Sequence, residues 1–435
     1  MINARQAALE TLMRVLNQQS YSNLALNQTL QKHSLSQKDQ SLATRLVYGT
    51  IQYQLYLDYQ LKDLIHTKLK EAYLRPLLLM SAYQIFFLTK IPDRAVLDEA
   101  NKLAKRYGRQ HSNGYRIVNG ILHALLRRGE VLPDPQNRLE YLSVHESMPL
   151  WLLKYFQKNF GWEKTKAIAI SCNQPAYDSV RLTVPEDKVM PVLTELGYHS
   201  RPSLLSEHNL LLDHGGIAQT ALFEDGWLTI QDESASLAVD CFDFSGNDCV
   251  LDACSAPGGK TAQIAEKLTN GSVWALDLHP KKLRLVQQNA RRLHVAARVH
   301  VKAMDARKCQ SYFSEQQFDK ILVDAPCSGL GLLRRKPEIR YLKRKEDILR
   351  LAQVQNDILE AVAPLLKKNG QLIYSTCTLA PEENDQVVQH FLKKHPQFEL
   401  VPIRLPKIRS EGTLQIFPDT AGSDGFFIAK LSLRG

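Results

Sequence analysis

The sequence predicts a multi-domain protein that joins an all-helical N-terminal domain, a small α+β segment and a C-terminal α/β domain. Three observations predict this fold class. Apolar residues recur at helical spacing through about the first 130 residues, a turn-rich run follows at 131–137, and strands alternate with helices from about residue 230. At 435 residues the chain also exceeds what one hydrophobic core usually organises.

The N-terminal domain is predicted to be helical throughout and to span residues 1–135. One apolar stripe is formed by Ala4, Ala7, Ala8, Leu12, Val15 and Leu16. Further helical patterns cover 41–65, 74–88, 97–107 and 114–127. The run V-L-P-D-P-Q-N at 131–137 contains two prolines and turn-forming residues, so we place a domain boundary there.

The middle segment, residues 145–225, mixes short helices with short strands. Residues 151–160 read as an amphipathic helix, and residues 179–184 alternate like a strand. These patterns predict a small α+β unit and indicate no function for it. The α/β domain is predicted to cover 226–435.

Four successive strands of the α/β domain each end at an aspartate. The runs C-V-L-D, V-W-A-L-D, V-K-A-M-D and I-L-V-D close at Asp252, Asp277, Asp305 and Asp324. Ligands of open parallel sheets bind outside the carboxyl ends of the strands. Aspartate often begins a turn after a strand, but four in succession favour an organised ligand-binding edge on a doubly wound, Rossmann-like sheet.

A Gly-rich loop follows the first of these strands and precedes a helix over 261–268. Its residues are Cys254, Ser255, Ala256, Pro257, Gly258, Gly259 and Lys260. Such a turn lets the backbone approach a ligand closely, and the helix N-terminus offers free N–H donors to a phosphate or a carboxylate.

Three cofactor classes compete for this loop. A P-loop would need glycine where Cys254 stands, and the G-x-G-x-x-G of a dinucleotide fold is absent. S-adenosylmethionine needs carboxylate recognition at the loop, ribose recognition at Asp277 and an adenine slot near Asp305. Because all three features are present, we predict S-adenosylmethionine as the cofactor.

Two of the seven cysteines lie in turn-rich sequence directly after strands. Cys327 lies in D-A-P-C-S-G, and Cys377 lies in S-T-C-T about fifty residues later. Free cysteine is usually a buried apolar residue, and Cys172, Cys241, Cys249 and Cys309 are predicted to be so. The sequence has no C-x-x-C pair and no His/Cys cluster at zinc-ligand spacing, so no metal site is predicted.

These motifs resemble those of the NOL1/NOP2/Sun family of RNA cytosine-5 methyltransferases. The matching stretches are D-A-C-S-A-P-G-G-K-T at 252–261, D-A-P-C-S-G at 324–329 and S-T-C-T at 375–378. The N-terminal part resembles a NusB-like RNA-binding domain, notably in L-A-T-R-L-V-Y-G-T at 42–50 and D-E-A-N-K-L-A-K at 98–105.

The resemblance implies methyl transfer from S-adenosylmethionine to carbon 5 of one cytidine in 16S rRNA. It makes Cys377 the nucleophile and Cys327 the residue that assists release of the adduct. Cofactor contacts are implied for residues 254–260 and for Asp277, Asp305 and Asp324. The chemistry explains both thiols, because thiolate addition at carbon 6 activates carbon 5 and a base must later remove its proton. Asp324 is expected to hydrogen-bond to the ring.

The chain carries a formal charge of +10, and its basic residues are clustered. Residues 334–350 hold eight Lys/Arg against three acids, next to the P-C-S-G turn. Such a stretch suits a phosphate backbone. Arg334, Arg335, Lys336 and Arg340 are therefore candidate RNA contacts, although a solvated helix face would read the same way.

Two other functions remain open. One is methylation of tRNA cytosine, and the other is a non-catalytic NusB-like RNA-binding or antitermination factor. The sequence lacks an apolar stretch of the ~20 residues that span a bilayer, and its N-terminus lacks the pattern of a secretory signal. We therefore expect a cytoplasmic protein, and nothing in the sequence demands more than a monomer.

Overall fold

The computed structural model describes residues 2–110 and 112–434, and the chain divides into two compact units. The helical unit consists of residues up to 173 together with 335–342, and the sheet unit consists of 174–334 and the residues from 343 onward. The predicted boundary near residue 135 falls inside the helical unit. The chain beyond it is tied to earlier helices, since the Ser147 hydroxyl accepts the Leu55 N–H at 2.9 Å.

The helical unit contains ten helices of eight residues or more among the described residues. They are α1 Ala4–Gln18, α2 Ser22–Lys32, α3 Gln37–Gln52, α4 Gln54–Leu61, α5 Leu74–Phe87, α6 Asp93–Tyr107, α7 Gly114–Arg128, α8 Arg138–His145, α9 Leu150–Phe160 and α10 Trp162–Ser171. Short helical turns lie at Lys62–Leu64 and Ile339–Leu342.

Helix α5 is the centre of the helical unit. It is apolar on all sides, and Leu77, Leu78, Leu79 and Met80 are each at most 1% exposed. A helix that is hydrophobic all round is stable only when other helices cover it. The ten helices of this unit confirm the predicted all-helical N-terminal region.

The sheet unit begins with a small antiparallel sheet. Its strands are β1 Asp178–Leu182, β2 Ser200–Pro202, β3 Asn209–Leu212 and β4 Leu228–Ile230, in the order β2-β3-β1-β4. Helix α11, Glu186–Glu195, connects β1 to β2, and a short turn covers Ala221–Glu224. The predicted strand at 179–184 is thus β1, two residues shorter at its end.

The large sheet of this unit is mostly parallel. Its strands are β5 Cys249–Asp252, β6 Ser272–Asp277, β7 Val299–Ala303, β8 Phe318–Asp324, β9 Leu366–Thr376, β10 Phe398–Leu400, β13 Thr413–Ile416 and β14 Phe426–Leu433, while β11 Ile403–Arg404 and β12 Arg409–Ser410 pair separately. The order is β10-β14-β9-β8-β5-β6-β7, and β13 pairs with β14. Strands β5 to β9 are parallel, whereas β10, β13 and β14 are antiparallel to their neighbours.

Helices cover both faces of the large sheet. They are α12 Glu233–Asp240, α13 Gly259–Lys267, α14 Pro280–Arg292, α15 Lys345–Val362 and α16 Asp385–Lys394, with a short turn at Pro418–Ala421. Successive residues of a strand enter different cores: Val250 packs in one apolar cluster and Leu251 in the other. This confirms the Rossmann-like prediction, and the strand order reverses between β5 and β8, where such sheets bind ligands.

Among the described residues, none of the helices is both long and apolar enough to cross a membrane.

Candidate active site

The Gly-rich loop lies between β5 and α13, at the point where the strand order reverses. The Ser255 N–H and hydroxyl both donate to the Leu276 carbonyl, at 2.8 and 2.9 Å, which fixes the loop to β6. Gly258 has a φ of 107°, and a Cβ added there would lie 2.8 Å from Val286 Cα. The loop therefore needs glycine at this position, and its backbone stays open to a ligand.

Asp277 and Asp305 lie close to the carboxyl ends of β6 and β7. Both side chains are half-buried, and the Met304 N–H donates to the Asp277 carbonyl at 3.0 Å, which holds the two strand ends together. The side chain of Arg307 forms hydrogen bonds that lower the pKa of Asp305. Asp305 and Arg307 line an open groove of about 820 Å³.

Asp252 does not belong to the ligand-binding edge that the four strand ends predicted. Its side chain is 1% exposed, and it accepts the Thr261 hydroxyl at 2.6 Å. Burial raises the pKa of Asp252 to about 7. Three of the four aspartates therefore remain accessible, and Asp252 instead joins β5 to the first turn of α13.

Asp324 and Lys260 form an ion pair at the reversal point. Lys260 Nζ is 2.7 Å from Asp324 Oδ2, and the Ser375 hydroxyl donates to Asp324 Oδ1 at 2.9 Å. Burial acts to lower the pKa of Lys260, but the charges of Asp324 and Cys377 outweigh it and raise that pKa overall. A cation is thus held next to both a carboxylate and a thiol.

Cys327 and Cys377 are brought together by the loops after the neighbouring strands β8 and β9. Their Sγ atoms are 3.3 Å apart. Asp324 pairs with Ser375 in the sheet register, so both loops leave the sheet at the same level. The Gly331 N–H donates to the Cys377 carbonyl at 3.0 Å and joins the loops again beyond the thiols. Both side chains are half-buried, which leaves them open to a substrate.

The surroundings of Cys327 disfavour its thiolate form. The hydrogen bond with Cys377, burial and the charges of Cys377 and Glu383 raise the pKa of the Cys327 thiol well above its usual range. Cys327 is therefore the less readily ionised of two thiols whose sulfur atoms are in hydrogen-bonding contact. The Cys254 thiol in the Gly-rich loop is also protonated, since burial raises its pKa well above the usual range.

Glu383 and Gln355 form a buried network behind the two thiols that the sequence analysis missed. Both side chains are 0% exposed. The Glu383 carboxylate accepts the Ser328 N–H at 2.8 Å and the Gln355 amide at 2.9 Å. The only sequence signal was an acidic run, A-P-E-E-N, shortly after S-T-C-T.

Two of the four candidate RNA contacts are buried. Arg334 is 8% exposed and donates to the carbonyls of Pro418 and Gly422, within the sheet unit. Arg340 is 0% exposed and donates at 2.9 Å to the Cys172 carbonyl, within the helical unit. Their guanidinium groups are committed to internal oxygens, so these two expected phosphate contacts are not supported.

Arg335 and Lys336 are half-buried, and these two candidates keep part of their surface accessible. The described residues contain no group of three or more His, Cys, Asp or Glu side chains that could hold a metal ion.

Comparison with known proteins identifies the family of both regions. Residues 240–432 match the family model described as 16S rRNA methyltransferase RsmB/F, and residues 2–127 match the NusB family. A probable ribosomal RNA small subunit methyltransferase B of Bacillus subtilis is 40% identical and covers 100% of this chain and 99% of its own. Ribosomal RNA small subunit methyltransferase B of Photorhabdus laumondii is 32% identical, with 99% of each chain covered.

Among solved structures, the crystal structure of PH0851 superposes with a TM-score of 0.85. The two chains are 26% identical, and the match covers 99% of this chain and 98% of the other. The likeness extends over both units. These findings confirm the resemblance drawn from the sequence motifs.

Proposed function

The chain belongs to the family of ribosomal RNA small subunit methyltransferase B, and we propose that it methylates carbon 5 of one cytidine in 16S rRNA through a covalent adduct with Cys377. The observation that carries this proposal is the contact of two thiols, 3.3 Å apart, next to the Lys260–Asp324 ion pair. A methyltransferase acting on a ring nitrogen would need neither thiol.

The residues present fit S-adenosylmethionine as the methyl donor. The loop around Gly258 allows close backbone approach, and Asp277 lies where the acid after the second strand of such sheets binds ribose hydroxyls. Asp305 stands just beyond the end of the next strand, β7, and would border the adenine. When bound, the cofactor supplies an electrophilic methyl group.

Cys377 is the nucleophile of the proposed reaction, because the pKa of its neighbour Cys327 is raised well above the usual range and Cys327 is the poorer source of a thiolate. The Cys377 thiolate bonds to carbon 6 of the cytosine, and the electrons of the 5,6 double bond move to carbon 5. Carbon 5 would then take the methyl group as the bond between that group and the donor's sulfur breaks, and the neutral thioether would leave. The charge of Cys377 contributes to the raised pKa of Lys260. The Lys260 ammonium therefore stabilises the attacking thiolate.

Asp324 recognises the cytosine. Its two carboxyl oxygens already accept hydrogen bonds from Lys260 and Ser375, so they act as acceptors. An acceptor suits the exocyclic amine of cytosine, whereas protonation at ring nitrogen 3 requires a donor such as the adjacent Lys260 ammonium. This refines the expectation from sequence, which assigned ring contact to Asp324 alone.

Cys327 serves the release step. Once Cys377 is bonded to carbon it carries no negative charge, so two of the causes that raise the pKa of Cys327 disappear. Cys327 then loses its proton more easily and, as thiolate, removes the proton from carbon 5. The double bond reforms and Cys377 leaves as a thiolate.

RNA binding is proposed for the NusB-like region and for the accessible part of the basic segment, Arg335 and Lys336. The target base must lie in a loop or be flipped out of its stack to reach the half-buried thiols. Methylation of tRNA cytosine is the second candidate, since the same pair of thiols would serve it.

The test uses protein with methyl-labelled S-adenosylmethionine and unmodified 16S rRNA. We expect Cys377→Ala to lose methylation by about a thousandfold or more and to trap no RNA. Cys327→Ala should accumulate a denaturation-resistant protein–RNA adduct. Cys249→Ala, at the opposite end of β5, is the matched control and should behave like wild type.

Each alternative has its own outcome in this experiment. Persistent methylation by Cys377→Ala would show the covalent assignment to be wrong. Label entering bulk tRNA but not 16S rRNA would favour the tRNA candidate. Absence of any transfer by the wild type to either RNA would favour a non-catalytic RNA-binding factor.

A further inference from the structure

The main chain on both sides of Cys327 is held by one buried pair of side chains. Gln355 Nε2, on α15, donates to the Pro326 carbonyl at 3.0 Å, and the Glu383 carboxylate accepts the Ser328 N–H at 2.8 Å. Gln355 and Glu383 are themselves joined at 2.9 Å. The peptide groups before and after Cys327 therefore cannot shift without breaking this pair.

The same carboxylate reaches the loop that carries Cys377. The Ser328 and Thr378 hydroxyls are 2.7 Å apart, and the Thr378 hydroxyl lies 3.4 Å from Glu383 Oε1. Ser328 and Thr378 directly follow the two cysteines in sequence. Glu383 thus contacts the residue after each thiol and sets the spacing between the two loops.

Burying a carboxylate such as that of Glu383 costs free energy unless hydrogen bonds or opposite charges compensate for the lost water. Its side chain is 0% exposed. Burial raises the pKa of Glu383, while hydrogen bonds from Ser328, Gln355 and Thr378 oppose that effect. Three donors converging on one carboxylate support its ionised form. A neutral amide of the same shape keeps one acceptor oxygen but loses the charge, so it would hold these donors more weakly.

We propose that Glu383 is a positioning residue for the release step, which holds Cys327 against Cys377 so that both sulfur atoms address the same pyrimidine ring. This inference rests on the proposed covalent mechanism. It assigns Glu383 no contact with the RNA or the cofactor. Its main effect passes through Cys327, because its strongest hydrogen bonds hold the main chain around that residue.

The decisive variant is Glu383→Gln, compared with Glu382→Gln at the adjacent, half-buried position. In single-turnover reactions, adduct formation and adduct release are timed separately. We expect Glu383→Gln to slow release by about tenfold to a hundredfold, the range for losing one hydrogen bond to a charged group. Adduct should therefore accumulate, with S-adenosylmethionine affinity unchanged, while Glu382→Gln behaves like wild type.

The pH profile separates positioning from mere structural support. The Glu383 carboxylate raises the pKa of Cys327. Removing the charge of Glu383 should therefore shift the pH dependence of the release rate to lower pH. A structural defect would lower the release rate without shifting its pH dependence. Gln355→Leu keeps the carboxylate but frees the Pro326 carbonyl, and it should slow release without the shift in pH.

Three outcomes would overturn the inference. Release by Glu383→Gln could equal the wild-type rate, formation and release could fall by equal factors, or Glu383→Gln could leave the pH dependence of release unshifted. If Glu383→Gln fails to fold, Gln355→Leu alone decides, and unchanged release in it refutes the proposal. Cys327→Ala is run in parallel: if it too forms no adduct, the covalent mechanism itself has failed.

Discussion

Replacing Arg340 with alanine removes a fully buried guanidinium, and we expect this change to destabilise the helical unit rather than to weaken RNA binding. Its Nη2 donates at 2.9 Å to both the Cys172 carbonyl and Asn173 Oδ1. Its Nη1 reaches further carbonyls at 3.2 to 3.4 Å, those of Gln52, Glu146 and Ser147.

The expected loss follows from the two shorter bonds. Each hydrogen bond to a charged group contributes about 1.5 to 3 kcal/mol, so the pair contributes about 3 to 6 kcal/mol. For a unit of this size, the change corresponds to a fall in Tm on the order of 10 °C. The longer contacts of Nη1 are left out of this figure.

Thermal unfolding and RNA binding at several salt concentrations distinguish the two roles. The comparison variant is Arg335→Ala/Lys336→Ala, whose side chains are half-buried. We expect it to keep its Tm and to reduce the salt slope of RNA affinity by up to about 2. If Arg340→Ala kept its Tm and flattened the salt slope instead, the structural account of Arg340 would be refuted.

Two further predictions concern the Gly-rich loop and the strand before it. Gly258→Ala should destabilise the protein by about 1 to 3 kcal/mol and weaken S-adenosylmethionine binding, because its φ of 107° disfavours a side chain. Gly120→Ala, on α7 with nothing within 4 Å of the added carbon, should be neutral or stabilising by up to about 1 kcal/mol. Asp252→Asn should flatten the pH dependence of stability, since burial raises the pKa of Asp252 to about 7. The folded protein keeps a proton there that the unfolded chain loses above about pH 4, so wild-type stability falls between about pH 4 and 7, by on the order of 4 kcal/mol at most.

Both predictions have clear contrary results. Equal ligand affinity in Gly258→Ala and wild type would show that the loop tolerates a side chain. Urea unfolding at pH 5 and pH 8 measures how the free energy of unfolding depends on pH. The same pH dependence in Asp252→Asn and wild type would contradict the role given to Asp252.

The elements that the sequence located well are those whose pattern is local. Helix α5 and strand β8 were recognisable from the sequence because each is a nearly continuous run of buried, mostly apolar residues. The two thiols could be placed near each other because parallel strands end at one edge of the sheet. Their contact at 3.3 Å agrees with that reasoning.

The failures depend on which residues meet across long stretches of chain. Arg340 reads as a surface cation beside other cations, yet it is buried against carbonyls far back in the sequence. Asp252 looks identical to Asp277 and Asp324 as a strand-ending acid, but the Thr261 hydroxyl turns it inward. Glu383 carries no sequence pattern of its own, because its hydrogen bonds form only where two loops converge in the fold.

The central claim is that Cys377 bonds to carbon 6 of the target cytosine. It is tested most directly with 16S rRNA that contains 5-fluorocytidine, since fluorine replaces the proton that must leave and the adduct cannot resolve. Peptide mapping by mass spectrometry should find the methylated nucleotide attached to the peptide that contains Cys377. A trapped nucleotide on Cys327, or no covalent complex while ordinary 16S rRNA is methylated, would contradict the account.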